Sequence, residues 1–322
     1  MPGQVSRPPF DPELEAALVV IHERMPATVT REMLPQLRRL TELEGASFRA
    51  EDAGLVQRDV TIPGYRGDDI VVSVIARPDH NGLGPGIYHI HGGGMITGNR
   101  SMGLAVTAPW IREHDAVLVT VEYRLAPEFP DPYPVEDSYA GLLWMAEHAV
   151  ELGIDRERIL VAGASAGGGL AAGVALLARD RQGPELIGQM LQCPMIDDRN
   201  DTASAEQIVG AGIWDRATNI MAWTALLGER RGTDNVSIYA APARATDLSG
   251  LPPAFIDCGS AEVFRDEDAA YASALWAAGG QAELHVWPGG FHGFADLAPH
   301  AALSQKAAEA RTAWIDRLLG DS

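Results

Sequence analysis

Arg158-Ile159-Leu160-Val161-Ala162-Gly163-Ala164-Ser165-Ala166-Gly167 is the stretch whose reading decides the fold. Its first five residues are a short apolar run of the kind that fills a buried strand. Gly163 to Gly167 then spell G-x-S-x-G, and the small residues that follow, through Leu177, suit a helix. A serine in a sharp strand-to-helix turn needs crowded or positive backbone angles, and small residues two before and two after it let strand and helix approach. The amino end of the helix also points its dipole at the serine. Ser165 is therefore the candidate nucleophile. A dinucleotide-binding reading of Gly167-Gly168-Gly169 and Ala172 fits poorly, because those glycines begin inside the expected helix and not at the end of the strand.

Outward from this turn, apolar segments at 55–62, 69–76, 86–90, 116–122, 158–163, 188–193, 253–258 and 282–287 read as strands. The first two are split by the turn-forming Pro63-Gly64-Tyr65-Arg66-Gly67-Asp68 and suit an antiparallel hairpin at one edge. The rest alternate with helical stretches, which implies an α/β fold: a mostly parallel sheet with helices on both faces. Two regions fall outside this alternation. Residues 11–45 read as short helices broken at Pro26 and Pro35 and stopped at Gly45, and the strand rhythm lapses over 200–235, where Ile213 to Gly228 looks like an amphipathic helix. Together they could cover the carboxyl edge of the sheet, where open α/β sheets bind ligands. With no repeat or linker in view, residues 1–322 read as a single domain.

The composition is that of an ordinary globular enzyme or binding domain, 46% hydrophobic and 21% charged. A net charge of -19 repels nucleic acid and anionic membrane surfaces and leaves neutral or cationic small molecules as the partners expected. The two cysteines, Cys193 and Cys258, each lie in an apolar run and read as buried free thiols. Met1 to Phe10 has no apolar segment of signal-peptide type and no 18 apolar residues run together, so a soluble cytoplasmic protein is expected.

Gly86 to Ile90 is a buried strand that ends in His91-Gly92-Gly93-Gly94. Consecutive glycines leave the backbone amides open to a ligand oxygen, and in acyl transfer such donors stabilise the oxyanion by roughly 3 kcal/mol each. The amides of Gly93, Gly94 and Ala166 are the candidates, with His91 and Gly92 shaping the loop. His89 and His91 form an H-x-H pair, but no third metal ligand is in obvious reach, so no metal is expected. Two late strands lead into loops that carry the remaining chemistry, in the order serine, acid, histidine. Ala254-Phe255-Ile256-Asp257-Cys258 runs into Glu262, and Leu284-His285-Val286-Trp287 runs into His292. His292 is the expected base, ahead of His285 and His300, and loop position favours Glu262 as the acid. Asp257 would lie within its strand, and Asp266, Glu267 and Asp268 suit the start of a helix, where carboxylates complement the dipole.

Taken together, the HGGG at 91–94, Tyr123-Arg124-Leu125-Ala126-Pro127-Glu128, the GASAG at 163–167, Phe264-Arg265-Asp266-Glu267 and His292 resemble the hormone-sensitive-lipase family of microbial carboxylesterases over most of the chain. The resemblance implies an eight-stranded α/β-hydrolase sheet with a helical cap from about 1–45 and about 200–235, the latter inserted after the sixth strand. It implies hydrolysis of short- to medium-chain carboxylic esters by Ser165, His292 and Glu262 through an acyl-enzyme, with no cofactor. Ile213, Trp214 and Trp223 are the candidate pocket residues, and a homodimer is an assembly common in the family. Amides, lactones and carbamates would use the same machinery, and a ligand-binding protein on the same fold is the non-catalytic alternative. This chain departs from many members by Ala164 before the serine and by Glu262 where aspartate is common. It keeps His292, which the receptors of the family lack.

Overall fold

Near-continuous runs of aliphatic residues are buried on both faces only in a sheet covered by helices. The computed structural model, which describes residues 6–45 and 48–320, places these runs in such a sheet. Its strands are β1 (Val56–Pro63), β2 (Asp69–Ala76), β3 (Gly84–Ile90), β4 (Val117–Glu122), β5 (Ile154–Ala164), β6 (Gly188–Gln192), β7 (Ala254–Gly259) and β8 (Ala282–Trp287). They lie in the order β1-β2-β4-β3-β5-β6-β7-β8. β2 is antiparallel to β1 and β4, and all other neighbours are parallel. The expected hairpin is thus β1–β2, in register from Val56↔Ala76 to Pro63↔Asp69 at the sheet edge. Every residue of β3, β6 and β7 is buried, whereas edge strand β1 is mostly exposed.

The helices are α1 (Pro12–His22), α2 (Leu34–Gly45), α3 (Leu104–His114), α4 (Tyr133–Glu147), α5 (Ala149–Leu152), α6 (Ala166–Asp180), α7 (Ala203–Gln207), α8 (Arg216–Leu227), α9 (Arg265–Ala277), α10 (Phe294–Leu297) and α11 (Ala302–Leu319). One core gathers Leu142, Leu170 and Val174 of α4 and α6 against Val161 and Leu191 of the sheet. On the other face Trp110 of α3 and Ile315 of α11 pack on Ile87, Leu160 and Phe255. Among the described residues, no helix is long and apolar enough to cross a membrane.

The strand boundaries shift by a residue or two, β5 beginning as early as Ile154, and the helices differ from the sequence expectation at two places. Pro35 is the second residue of α2 and does not break a helix, since a missing N–H costs nothing in a first turn. The helix expected from Ile213 begins at Arg216, because Asp215 takes the N-cap position and accepts the Thr218 amide at 2.8 Å. Ile213 and Trp214 remain in the turn before it.

The N-terminal segment is tied to the region between β6 and β7 and to the loops after β3 and β8. The Asp11 amide donates to Gly289 O at 3.0 Å, His22 Nε2 to Gly212 O at 2.8 Å, and the Val29 amide to Thr218 Oγ1 at 2.8 Å. Arg38 of α2 donates to the carbonyls of Ile96 and Ala126, each at 2.8 Å. Residues 1–5, within the segment expected to form the cap, lie outside the described residues.

Candidate active site

Ser165 stands between β5 and α6 with φ 57° and ψ -122°, a conformation that costs a non-glycine residue energy and persists only where its surroundings impose it. The imposing contacts are backbone ones. The Ser165 amide donates to Gln192 O at 2.8 Å, and Ser165 O accepts the amides of Gly169 and Met195 at 3.0 and 2.9 Å. A Cβ on Gly163 would collide with the carbonyl of Gly167, and one on Gly167 with the carbonyl of Ile90. Glycine at both places is what lets α6 leave the sheet so sharply.

His292 and Glu262 arrive from the loops after β8 and β7. His292 Nε2 is 2.9 Å from Ser165 Oγ, and His292 Nδ1 is 2.7 Å from Glu262 Oε2. The other carboxylate oxygen, Oε1, accepts the Gly259 amide at 2.6 Å, so this side chain is fixed at both ends. Phe264 meets the imidazole edge-on at 5.0 Å between ring centroids, and Trp214 approaches from 6.3 Å. Sequence reasoning missed Phe264 as a residue that holds the imidazole; its place two residues beyond the acid was the available signal.

Three of the other acids and His285 are engaged elsewhere. Asp257 is in β7, as expected, and is bound by Arg311 of α11 at 2.9 and 3.2 Å and by Trp287 Nε1 at 3.0 Å. Asp266 accepts the Ser204 amide at 2.7 Å, and Glu267 accepts the amides of Ile196 and Asp197 at 3.0 and 3.2 Å. His285 pairs with Glu283 at 2.8 Å, and His300 is exposed.

The glycine loop lies against the nucleophile turn: a Cβ on Gly92 would stand 2.9 Å from Ala164 O and 3.5 Å from Ser165 Cβ. Gly93 and Gly94 have φ 108° and 63°, and among the described hydrogen bonds neither amide has an acceptor. Ala166 opens α6, so its amide has no acceptor within the helix. His91 is buried, stacks on Tyr123 at 4.1 Å, and donates from Nδ1 to Gly92 O at 2.8 Å. Burial lowers its pKa to about 4, against the raising effect of that hydrogen bond. His89, lowered to about 3 by burial and then by His91, meets Thr120 at 3.2 Å. The H-x-H pair is therefore neutral and divided between two hydrogen bonds.

A cavity of about 700 Å³ opens onto Ser165 and His292. Ile213 and Trp214 line it, as expected. Trp214 lies against Gly94 and donates from Nε1 to Asn219 Oδ1 at 3.2 Å. Trp223 is corrected: it is fully buried in the main core and takes no part in the lining, because its side chain is packed into that core with Ala222 and Leu226 of α8. Much of the wall was not anticipated, and comes from Ile21 and Met25 near α1 and from Leu37, Leu40 and Leu43 of α2. Two groups of three potential metal ligands occur among the described residues, Cys193–Glu262–His292 and Cys258–Glu262–Asp268. Both share Glu262, each of whose oxygens accepts one hydrogen bond, from His292 or from the Gly259 amide. Cys193 and Cys258 are buried free thiols whose pKa values burial pushes well up.

A sheet of this order, with a serine strained at the end of its central parallel strand and an imidazole in contact with it, defines the class of α/β serine hydrolases. A family model described as alpha/beta hydrolase fold matches residues 87–296. The chain belongs to that family, in the hormone-sensitive-lipase branch of carboxylic ester hydrolases. It is similar to carboxylesterase NlhH of Mycobacterium tuberculosis, with 37% identity over 305 residues, 91% of each chain. Among solved structures it is similar to a bacterial heroin esterase, with 40% identity, a TM-score of 0.89 and coverage of 97% of this chain and 98% of that one. Esterase LipW from Mycobacterium marinum has 30% identity, a TM-score of 0.87 and coverage of 99% and 100%.

Proposed function

We propose that the protein hydrolyses short- to medium-chain carboxylic esters through a Ser165–His292–Glu262 triad. The observation that carries this reading is the unbroken line of two hydrogen bonds, 2.9 and 2.7 Å, from serine to imidazole to carboxylate. His292 Nε2 takes the Ser165 proton as Oγ attacks the ester carbonyl, and Glu262 holds the Nδ1–H tautomer and stabilises the imidazolium. The oxyanion meets the free amides of Gly93, Gly94 and Ala166. The alcohol leaves with the proton from His292, and a water activated by the same imidazole then releases the acid from the acyl-enzyme. No cofactor enters these steps.

The segment 1–45 and the insertion at 200–235 act as the cap over this site, the first through α1 and α2 and the second through Trp214. The size of the cavity suits a drug-sized apolar ester rather than a long-chain fat. The test is hydrolysis of p-nitrophenyl esters from acetate to palmitate by wild type and Ser165→Ala. Cleavage of the short esters by the wild type alone is expected; highest activity on emulsified long-chain triglycerides would overturn the chain-length reading. A second reading, a small acyl group on a bulky polycyclic alcohol, is favoured by the cavity together with the likeness to a heroin esterase. Acetyl esters of such alcohols, compared with the matching amides, test it and the choice of bond together.

A further inference from the structure

A second carboxyl lies beside Glu262 with nothing in the structure to neutralise it. Asp268, in the first turn of α9, is fully buried, and neither of its carboxyl oxygens has a hydrogen-bond partner. One of these oxygens, an oxygen of Glu262 and Sγ of Cys258 all lie within 4.8 Å of one another. Two buried carboxylates this close do not both ionise; one keeps a proton. The proton belongs on the group whose charge is less well supported. Glu262 receives the Gly259 amide at 2.6 Å and His292 Nδ1 at 2.7 Å, two strong donors. Asp268 has only the thiol of Cys258 near it, a weak donor.

The other charged groups around it reinforce this. Asp257 of β7 is matched by Arg311 of α11, whereas Glu267, the neighbour of Asp268 on α9, accepts two backbone amides at one oxygen, leaves the other without a partner, and is itself pushed well above the ordinary glutamate range by burial. Burial first, then the charges of Glu262, Glu267 and Asp257, push the Asp268 carboxyl well above the ordinary aspartate range.

We propose that Asp268 is a positioning residue of the active site: it remains a neutral acid and donates its O–H to a free lone pair of Glu262. The two carboxyls lie within 4.8 Å without a hydrogen bond between them in the structure, so this donation requires a small rotation of the Asp268 side chain. An acid–carboxylate pair then faces His292 in place of a lone carboxylate, with Glu262 fixed by a third donor. The inference rests on the triad reading above. When Asp268 finally loses its proton as the pH is raised, Glu262 loses a donor and gains a neighbouring negative charge, so activity falls.

The experiment is a set of kcat and KM profiles against pH, on a short p-nitrophenyl ester, for wild type, Asp268→Asn and Asp268→Ala, with Ser165→Ala and Glu262→Gln as controls. Asparagine keeps a neutral donor, so Asp268→Asn is expected within about threefold of wild type at neutral pH and without that fall in kcat as the pH is raised. Alanine removes the donor and is expected to lower kcat about tenfold with KM little changed. Wild-type kcat and profile in Asp268→Ala, or equal damage in both variants, overturns the proposal. If Asp268→Ala does not fold, the asparagine variant decides alone: a wild-type fall in kcat with rising pH overturns it. Wild-type activity reduced by a chelator would point to a cation between the two carboxyls and overturn the proton assignment. Ester hydrolysis by Ser165→Ala, or a loss below tenfold in Glu262→Gln, would sink the triad reading itself, a separate outcome.

Discussion

Glu262 is bound at both oxygens, and that makes its charge the quantity on which His292 depends. Glu262→Gln keeps the shape but presents an amide that favours the wrong imidazole tautomer, so kcat is expected to fall about 10³-fold with KM little changed. Stopped assays on a short ester check this, and a loss below tenfold would return one of the neighbouring acids to consideration. Asp268 carries a linked consequence for stability. Its native pKa is raised above the ordinary 3.8, so the folded state holds a proton that the unfolded chain releases. The stability this adds is fully present below the unfolded pKa and is lost as pH rises through the native one. Asp268→Asn, which has no proton to hold, should therefore gain in urea midpoint relative to wild type as pH rises above the unfolded value of 3.8; the opposite trend would mean that the native aspartate is ionised. The meeting of Ser165, Glu262 and His292 was legible in the sequence because each follows a strand end in the order a serine triad would need. The burial of Asp268 was not. Three successive acids at a helix start read as solvated partners of its dipole, and only the docking of α9 turns Glu267 and Asp268 inward while leaving Asp266 on Ser204.

The strands could be read from sequence because burial on both faces leaves uninterrupted apolar runs, as in β3 (Gly84–Ile90) and β7 (Ala254–Gly259), every residue of which is buried. The cavity wall could not. Leu37, Leu40 and Leu43 form an apolar stripe at helical spacing, but which object that stripe faces is set by the docking of α2 through Arg38. Trp214 and Trp223 show the same limit within one segment, since a single N-cap leaves the first at the site and carries the second into the core. The β7–α11 junction is the element contact most exposed to substitution. Arg311→Met strands the fully buried Asp257 carboxylate, an effect expected to cost about 3 to 5 kcal/mol and to appear as a lower Tm by calorimetry. Adding Asp257→Asn should recover part of the loss; no recovery would mean that packing, and not the buried charge, is responsible.

For the whole molecule, a net charge of -19 sets a field that acts before any contact forms. A cationic ester is expected to lose kcat/KM as salt is added, while a neutral ester of the same size should change little. Equal responses of the two would show that the charge has no part in substrate capture. Another property of the whole chain follows from the seating of α1, where Glu13 accepts the amide of Ala302 across 289 residues of sequence and Asp11 bonds to Gly289 beside the histidine loop. At ribosomal speeds of 5–20 residues per second, that separation amounts to roughly 15 to 60 s of synthesis. A nascent chain therefore carries the strand and turn of Ser165 well before it carries the segments that seat α1 beside the His292 loop.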